Sequence, residues 1–288
     1  MIMKVKDSES YCMKRDSQIE NGMSHWSFVE NHYLNLKEEE KRDLEKIKIY
    51  KFIPMDKLKI LLSNSALYMD RVSCWEDPYE NYFLKEHFLI QLDGKWMRLG
   101  VDSVIPVLFG QSWTTSPETD ALWRIYSPCK NAIRIETTAR KLLEAVYISD
   151  KSMASVWIGK VDYSKTLEQL NKEACAICEN DSYEIWRDYL PRTLFNKRPE
   201  FKHENEFRVI QMFETGAEEY LNKYQRISYE IYDMDDFILS YRLDPRLNND
   251  EYDNNVRELE QLGVPSAKIK KSLLYDFNPI TIKIGSMK

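Results

Sequence analysis

The clearest pattern in the chain is the alternation Ile47-Lys48-Ile49-Tyr50-Lys51-Phe52, the period of a strand with one face turned inward. Pro54 and Asp56 then open a short helix capped by Asp56, whose Leu58, Leu61 and Leu62 face inward before it ends near Asn64. Ala66-Leu67-Tyr68-Met69 reads as a second strand, followed by a polar loop from Cys74 to Glu80. Phe83 to Leu108 is mixed: Gly94 marks a turn, and Val101 to Leu108 is apolar enough for strand or helix. Gln111 to Thr115 reads as a short strand. Ser116-Pro117 reads as a helix start with proline in the first helical position, the helix carrying Leu122, Trp123 and Tyr126. Asn131 to Glu136 alternates, with Ile133 and Ile135 on one face and Arg134 and Glu136 on the other.

Further along, Thr138 to Val146 reads as helix, Val156 to Tyr163 as strand, and Lys165 to Leu190 as one long helix or a broken pair. Glu204 to Phe213 and Ile238 to Leu243 read as strands. Asp250 to Leu262 is a helix closed by Gly263, and Ile269 to Leu274 and Ile280 to Ile284 complete the sheet. Residues 1–40 are polar and aperiodic and read as an N-terminal arm, with Trp26, Phe28 and Tyr33 packing part of it on something. The charged run Lys37 to Lys46 reads as a solvated helix face. Residues 41–288, without repeat or internal boundary, read as a single domain. Its strands and helices mix without a βαβ rhythm, which predicts an α+β fold with a mixed or mostly antiparallel sheet flanked by helices.

Composition narrows the functional classes. A hydrophobic share of 43% against 31% charged residues is a globular balance, and a net charge of −6 gives no global attraction for phosphate backbones. The chain has no apolar run of about 18 residues and no apolar signal core near its start, so neither membrane span nor secretion is expected. Five irregularly spaced cysteines read as reduced thiols of a cytoplasmic protein. With only 8 glycines, the chain has no phosphate-cradling glycine loop, and it lacks a nucleophile elbow and the kinase motifs. The lone Cys175-Ala176-Ile177-Cys178 has no second ligand pair at zinc spacing, so no metal is expected.

The most suggestive chemistry lies between Phe195 and Arg208. On a strand, Glu204, Glu206 and Arg208 project together, with Phe207 and Val209 on the opposite side. Two carboxylates and a guanidinium so placed either form a buried ion-pair network or orient a ribose and stabilise a developing cation. Lys197, Arg198 and Lys202 add positive charge suited to a phosphate. Asp77-Pro78-Tyr79-Glu80 reads as a surface turn. Trp123 and Tyr126, three apart on a helix, form either core packing or a base-stacking platform.

Taken in order, these segments resemble the bacterial family known as domain of unknown function 2971. The resemblance runs through Tyr50-Lys51-Phe52, Asp77-Pro78-Tyr79-Glu80, Leu122 to Ser127, Lys197-Arg198 with Phe201 to Arg208, Leu243-Asp244-Pro245-Arg246 and Lys271 to Tyr275. It covers about residues 48–276 and implies a stand-alone bacterial or phage-related protein with a flavour of defence or toxin systems. The order of elements also resembles the ADP-ribosyltransferase fold, with its polar first-strand residue, its Ser-x-Ser/Thr strand and its later Glu-x-Glu strand. That resemblance implies NAD as substrate, Glu206 as the group that polarises the ribose and Glu204 as the one that engages an acceptor. It further implies Tyr50, Lys51, Ser112, Trp113, Thr114, Trp123, Tyr126 and Arg208 as the pocket, and a protein, nucleic acid or small molecule as acceptor. Two departures stand out: Tyr50 and Lys51 replace the usual His or Arg, and Arg208 lies outside the usual pattern. Two other classes stay open, a non-catalytic ligand- or partner-binding module and a metal-dependent nuclease using Asp77, Glu80, Glu204 and Glu206 with Lys197 and Arg198 on phosphate.

Overall fold

The computed structural model describes residues 2–4, 32–77, 79–80, 82–85, 88–99, 105–149, 155–178, 189–213, 221–277 and 279–282. Thirteen strands lie within them: β1 Ile2–Lys4, β2 Tyr33–Leu34, β3 Lys48–Pro54, β4 Ala66–Arg71, β5 Phe88–Leu92, β6 Lys95–Leu99, β7 Leu108–Thr114, β8 Ala132–Thr138, β9 Ser155–Lys160, β10 Glu206–Met212, β11 Arg226–Glu230, β12 Ser240–Leu243 and β13 Ile269–Lys270. β5 and β6 form a separate hairpin that turns at Asp93 and Gly94, both with positive φ. The others join one mixed, mostly antiparallel sheet flanked by helices, a single α+β domain.

The sheet branches at β7. One edge of this strand pairs with β10 along its whole length, and β10 continues to β9 and β2. The other edge serves two strands: β4 pairs with it at Phe109 and Gly110, β3 at Thr114. Between those contacts the ladder is completed by side chains. Lys51 Nζ donates to the Ser112 carbonyl at 2.6 Å, and the Gln111 amide donates to the Tyr68 carbonyl at 2.7 Å. Beyond the split, β4 leads to β11 and β1, and β3 leads to β8, β12 and β13.

The two faces of the sheet differ in chemistry. Ile49, Ile53, Trp113, Ile133, Ile135, Phe207 and Val209 belong to the main apolar core, together with Leu58 and Leu61 of the helix Met55–Asn64 and Leu142, Leu143 and Val146 of the helix Ala139–Ser149. Burying each such side chain stabilises the fold by about 1.5–3 kcal/mol. On the other face, the registers place Glu206, Thr114, Tyr50, Glu136 and Ser240 side by side across five strands. A small second core of Phe52, Leu122 and Trp123, with Leu274 against it, covers part of that face.

Several elements differ from the sequence reading. The helix after β7 begins at Asp120, three residues past Pro117, because the Thr119 hydroxyl caps it by accepting from the Leu122 N–H at 3.1 Å. Asp56 lies in the first turn of its helix while Pro54 takes the cap position. Glu204 ends a 3-10 helix (Pro199–Glu204), and Asn205, left-handed at φ 43° and ψ 52°, separates it from β10. At the C-terminal end only Ile269 and Lys270 pair; residues 271–277 and 279–282 form no strand. Two pieces of the segment read as an arm join the sheet, β1 alongside β11 and β2 alongside β9, both parallel. Residues 5–31, with Trp26 and Phe28, and residues 179–188 of the expected long helix lie outside the described residues; the described helical parts of that segment are Leu167–Cys178 and residues 189–190. β5, β6 and β11 were not anticipated.

Candidate functional site

The end of β10 and the loops around it gather five charged side chains. The Lys197 backbone N–H donates to the Asp162 carbonyl at 3.0 Å, which fixes the residue just ahead of the 3-10 helix. Its Nζ then meets Glu80 Oε1 at 2.9 Å, Glu204 Oε2 at 2.6 Å and Glu206 Oε1 at 2.7 Å. Arg208, fully buried, donates through Nε to Glu206 Oε2 at 2.7 Å, and reaches Glu80 Oε1 and the Leu194 carbonyl through its other nitrogens. The Trp75 ring lies over the guanidinium, 4.7 Å from its centroid.

Backbone geometry brings the two glutamates together although they do not share a strand. Thr114 Oγ1 donates to the Glu204 carbonyl at 2.6 Å and accepts from the Ser116 N–H at 3.0 Å. Thr115 N donates to the Asn205 carbonyl at 2.9 Å, and the Asn205 amide donates to Ser116 Oγ at 2.8 Å. The Tyr163 hydroxyl accepts from the Glu206 N–H at 2.9 Å. The turn at Asn205 is thereby locked to the end of β7.

Three carboxylates against two cations leave one negative charge in excess, and a proton balances it. Burial, aided by the hydrogen bond its protonated carboxyl donates to Glu206, pushes the Glu204 carboxyl up to about 7. Burial acts on Glu206 in the same sense, but Arg208 and Lys197 outweigh it and hold that carboxyl far below its ordinary value. The pair is thus polarised, Glu206 favouring its ionised form and Glu204 its protonated one.

Of the residues expected at a site, Glu204, Glu206, Arg208, Thr114, Ser112, Tyr50 and Tyr126 lie on this face. Tyr126, 39% exposed, stacks its ring 5.9 Å from Phe52, and burial together with Glu204 and Glu206 pushes its hydroxyl up. Tyr50 is buried beneath the Arg134 guanidinium, 4.5 Å from its ring. The structure does not bring the others here. Trp113 points to the opposite face, buried in the main core, with its N–H donating to Gln111 Oε1 at 2.7 Å. Lys51 shares that opposite face, and burial there lowers its amine to about 8. Trp123 is wholly enclosed between Phe52 and the Glu118 carboxylate, so it offers no stacking surface. Lys197, expected on a phosphate, and Glu80, expected in a surface turn or on a metal, are both built into the network. Only tertiary contacts reveal this, since their partners lie 7 to 128 residues away.

At the rim, Arg198 pairs with Asp77 Oδ1 at 3.0 Å and stacks between the rings of Tyr79 and Phe201, 4.2 and 5.1 Å from their centroids. Among the described residues, no group of three or more His, Cys, Asp or Glu is placed to hold a metal ion, and no helix is long and apolar enough to cross a membrane.

No family model and no curated protein matches the chain, and none supports the expected resemblance to domain of unknown function 2971. Two solved structures of Thermus sp. 2.9 DarT are similar to it. The complex with ADP-ribosylated ssDNA is 11% identical over 79% of this chain and 95% of that one, with a TM-score of 0.35. The complex with NAD+ is 13% identical over 79% and 96%, with a TM-score of 0.34. A likeness at this level carries no weight for function.

Proposed function

We propose that the chain is an NAD-dependent ADP-ribosyltransferase-type enzyme. The observation that carries this reading is the pair of carboxylates at the start of β10, Glu204 and Glu206 gathered on one ammonium, with Thr114 and Tyr50 beside them on one sheet face. In the reaction, the bond between ribose C1′ and the nicotinamide nitrogen breaks and nicotinamide leaves with the electron pair. Glu206 accepts a hydrogen bond from a ribose hydroxyl and stabilises the cationic centre at C1′. The acceptor's nucleophile bonds to C1′, and its proton passes to Glu204 in its ionised form. Tyr126 walls the site.

The test is an NAD titration of wild type and Glu206→Gln, with nicotinamide release as the readout. Release by wild type and none by a variant of unchanged circular dichroism supports the reading. Equal NAD consumption by both overturns it.

A second reading has its own observation: every carboxylate of the cluster is already paired with Lys197 or Arg208. On that reading the network clamps loops of a partner-binding module, and Glu206→Gln lowers stability while NAD does not bind. A metal-dependent nuclease fits less well, because the Lys197 ammonium occupies the position that a cation would take among Glu80, Glu204 and Glu206.

A further inference from the structure

A second charged cluster lies on the same sheet face, on β8 and β12, and it has the opposite imbalance. Arg134 and Arg242 stand directly opposite each other on neighbouring strands. Two carboxylates accompany them, but both are committed. Glu118 takes Arg242 Nη1 at 2.5 Å and also accepts from the Trp123 N–H and the Ser272 hydroxyl. Glu136 takes Lys48 Nζ at 2.8 Å and accepts from the Ser240 hydroxyl at 2.8 Å. Lys48, Arg134 and Arg242 thus face two carboxylates, leaving one positive charge over.

Arg134 pairs with Glu136 only at long range and rests on the Tyr50 ring, so its hydrogen bonding is the least complete of the three. Its side chain is 1% exposed, its Nη1 donates to the Pro117 carbonyl, and its Nη2 comes no closer than 3.6 Å to Glu136 Oε2. Nε and Nη2 of Arg134, and Nε of Arg242, are buried without a hydrogen-bond partner. Three guanidinium nitrogens without hydrogen bonds in a cluster with a net positive charge are costly unless an acceptor carrying negative charge reaches them. A planar fork of N–H donors matches a tetrahedral oxyanion better than a neutral acceptor. Arg242 is the more exposed of the two, at 23%.

We propose that Arg134 and Arg242 form a binding site for a phosphate group, one that does not depend on the transferase reading. Both free phosphate and the phosphate of a nucleotide carry this chemistry. The test measures binding of inorganic phosphate and, separately, of ADP by calorimetry at matched chloride ionic strength. It uses wild type, Arg134→Gln, Arg242→Gln and, as a control outside the cluster, Glu206→Gln. Wild type and Glu206→Gln bind at least one of the two probes, and losing one charged donor weakens binding about tenfold to a hundredfold. Tighter binding of ADP than of phosphate assigns the site to nucleotides; the reverse assigns it to the free ion. If Arg134→Gln does not fold, Arg242→Gln decides alone. No binding of either probe by wild type, or binding unchanged in the arginine variants, overturns the proposal. Because Glu206→Gln keeps this site, loss of nicotinamide release there together with intact probe binding separates the two proposals.

Discussion

Lys197 Nζ stands 2.7 Å from Glu206 Oε1, and this ammonium also holds Glu204 and Glu80. One cation thus ties together the end of β10, the 3-10 helix before it and the loop after β4. Burial alone would lower a lysine, yet Glu206 and Glu80 keep this one raised.

Lys197→Met removes the shared partner of three buried carboxylates. Leaving such charges uncompensated costs about 3–5 kcal/mol, which urea denaturation monitored by tryptophan fluorescence detects as a lower midpoint.

Glu204 makes stability depend on pH with a definite sign. Its folded value, about 7, lies above its unfolded one, so the folded state binds more protons in between. Its contribution is therefore fully present below the unfolded value and is lost as pH rises toward and through 7. Glu204→Gln cannot ionise, so its Tm gains on that of wild type between pH 5 and pH 8. A constant Tm difference across that window contradicts the assignment.

Thr114→Val keeps the shape of the side chain but removes the hydroxyl that serves the Glu204 carbonyl and the Ser116 N–H. The expected loss is about 1–3 kcal/mol. Hydrogen exchange at Ser116 should quicken, whereas exchange at the far end of β7 should change only with the global stability.

Gly159→Ala tests the β2–β9 contact. A Cβ there would sit 2.0 Å from the Leu34 carbonyl oxygen, so the backbone around residues 33–34 must move away. Limited proteolysis is expected to cut near residues 33–36 in the variant before it does so in wild type.

How far the site could be read from the sequence depended on whether local pattern or tertiary contact places each residue. β3 and β8 were legible because alternation survives burial on both faces: Ile133 and Ile135 enter the core while Arg134 and Glu136 occupy the polar face. Glu204 was expected on a strand with Glu206, which requires extended backbone at Asn205. The left-handed residue there breaks the strand, yet the turn returns Glu204 to the same cation. Trp113 and Trp123 carry no local mark that separates a ligand wall from a core. The orphaned nitrogens of Arg134 become visible only once its neighbours' partners are known.

The branch at β7 also bears on the order in which the molecule can come into being. β10, the partner along its full length, lies almost a hundred residues later in the chain, so this pairing closes a long loop and is slow to form. During synthesis from the N-terminus, β3, β4 and β7 emerge well before Lys197, Glu204, Glu206 and Arg208. The charge cluster at β10 can therefore assemble only after most of the chain has left the ribosome.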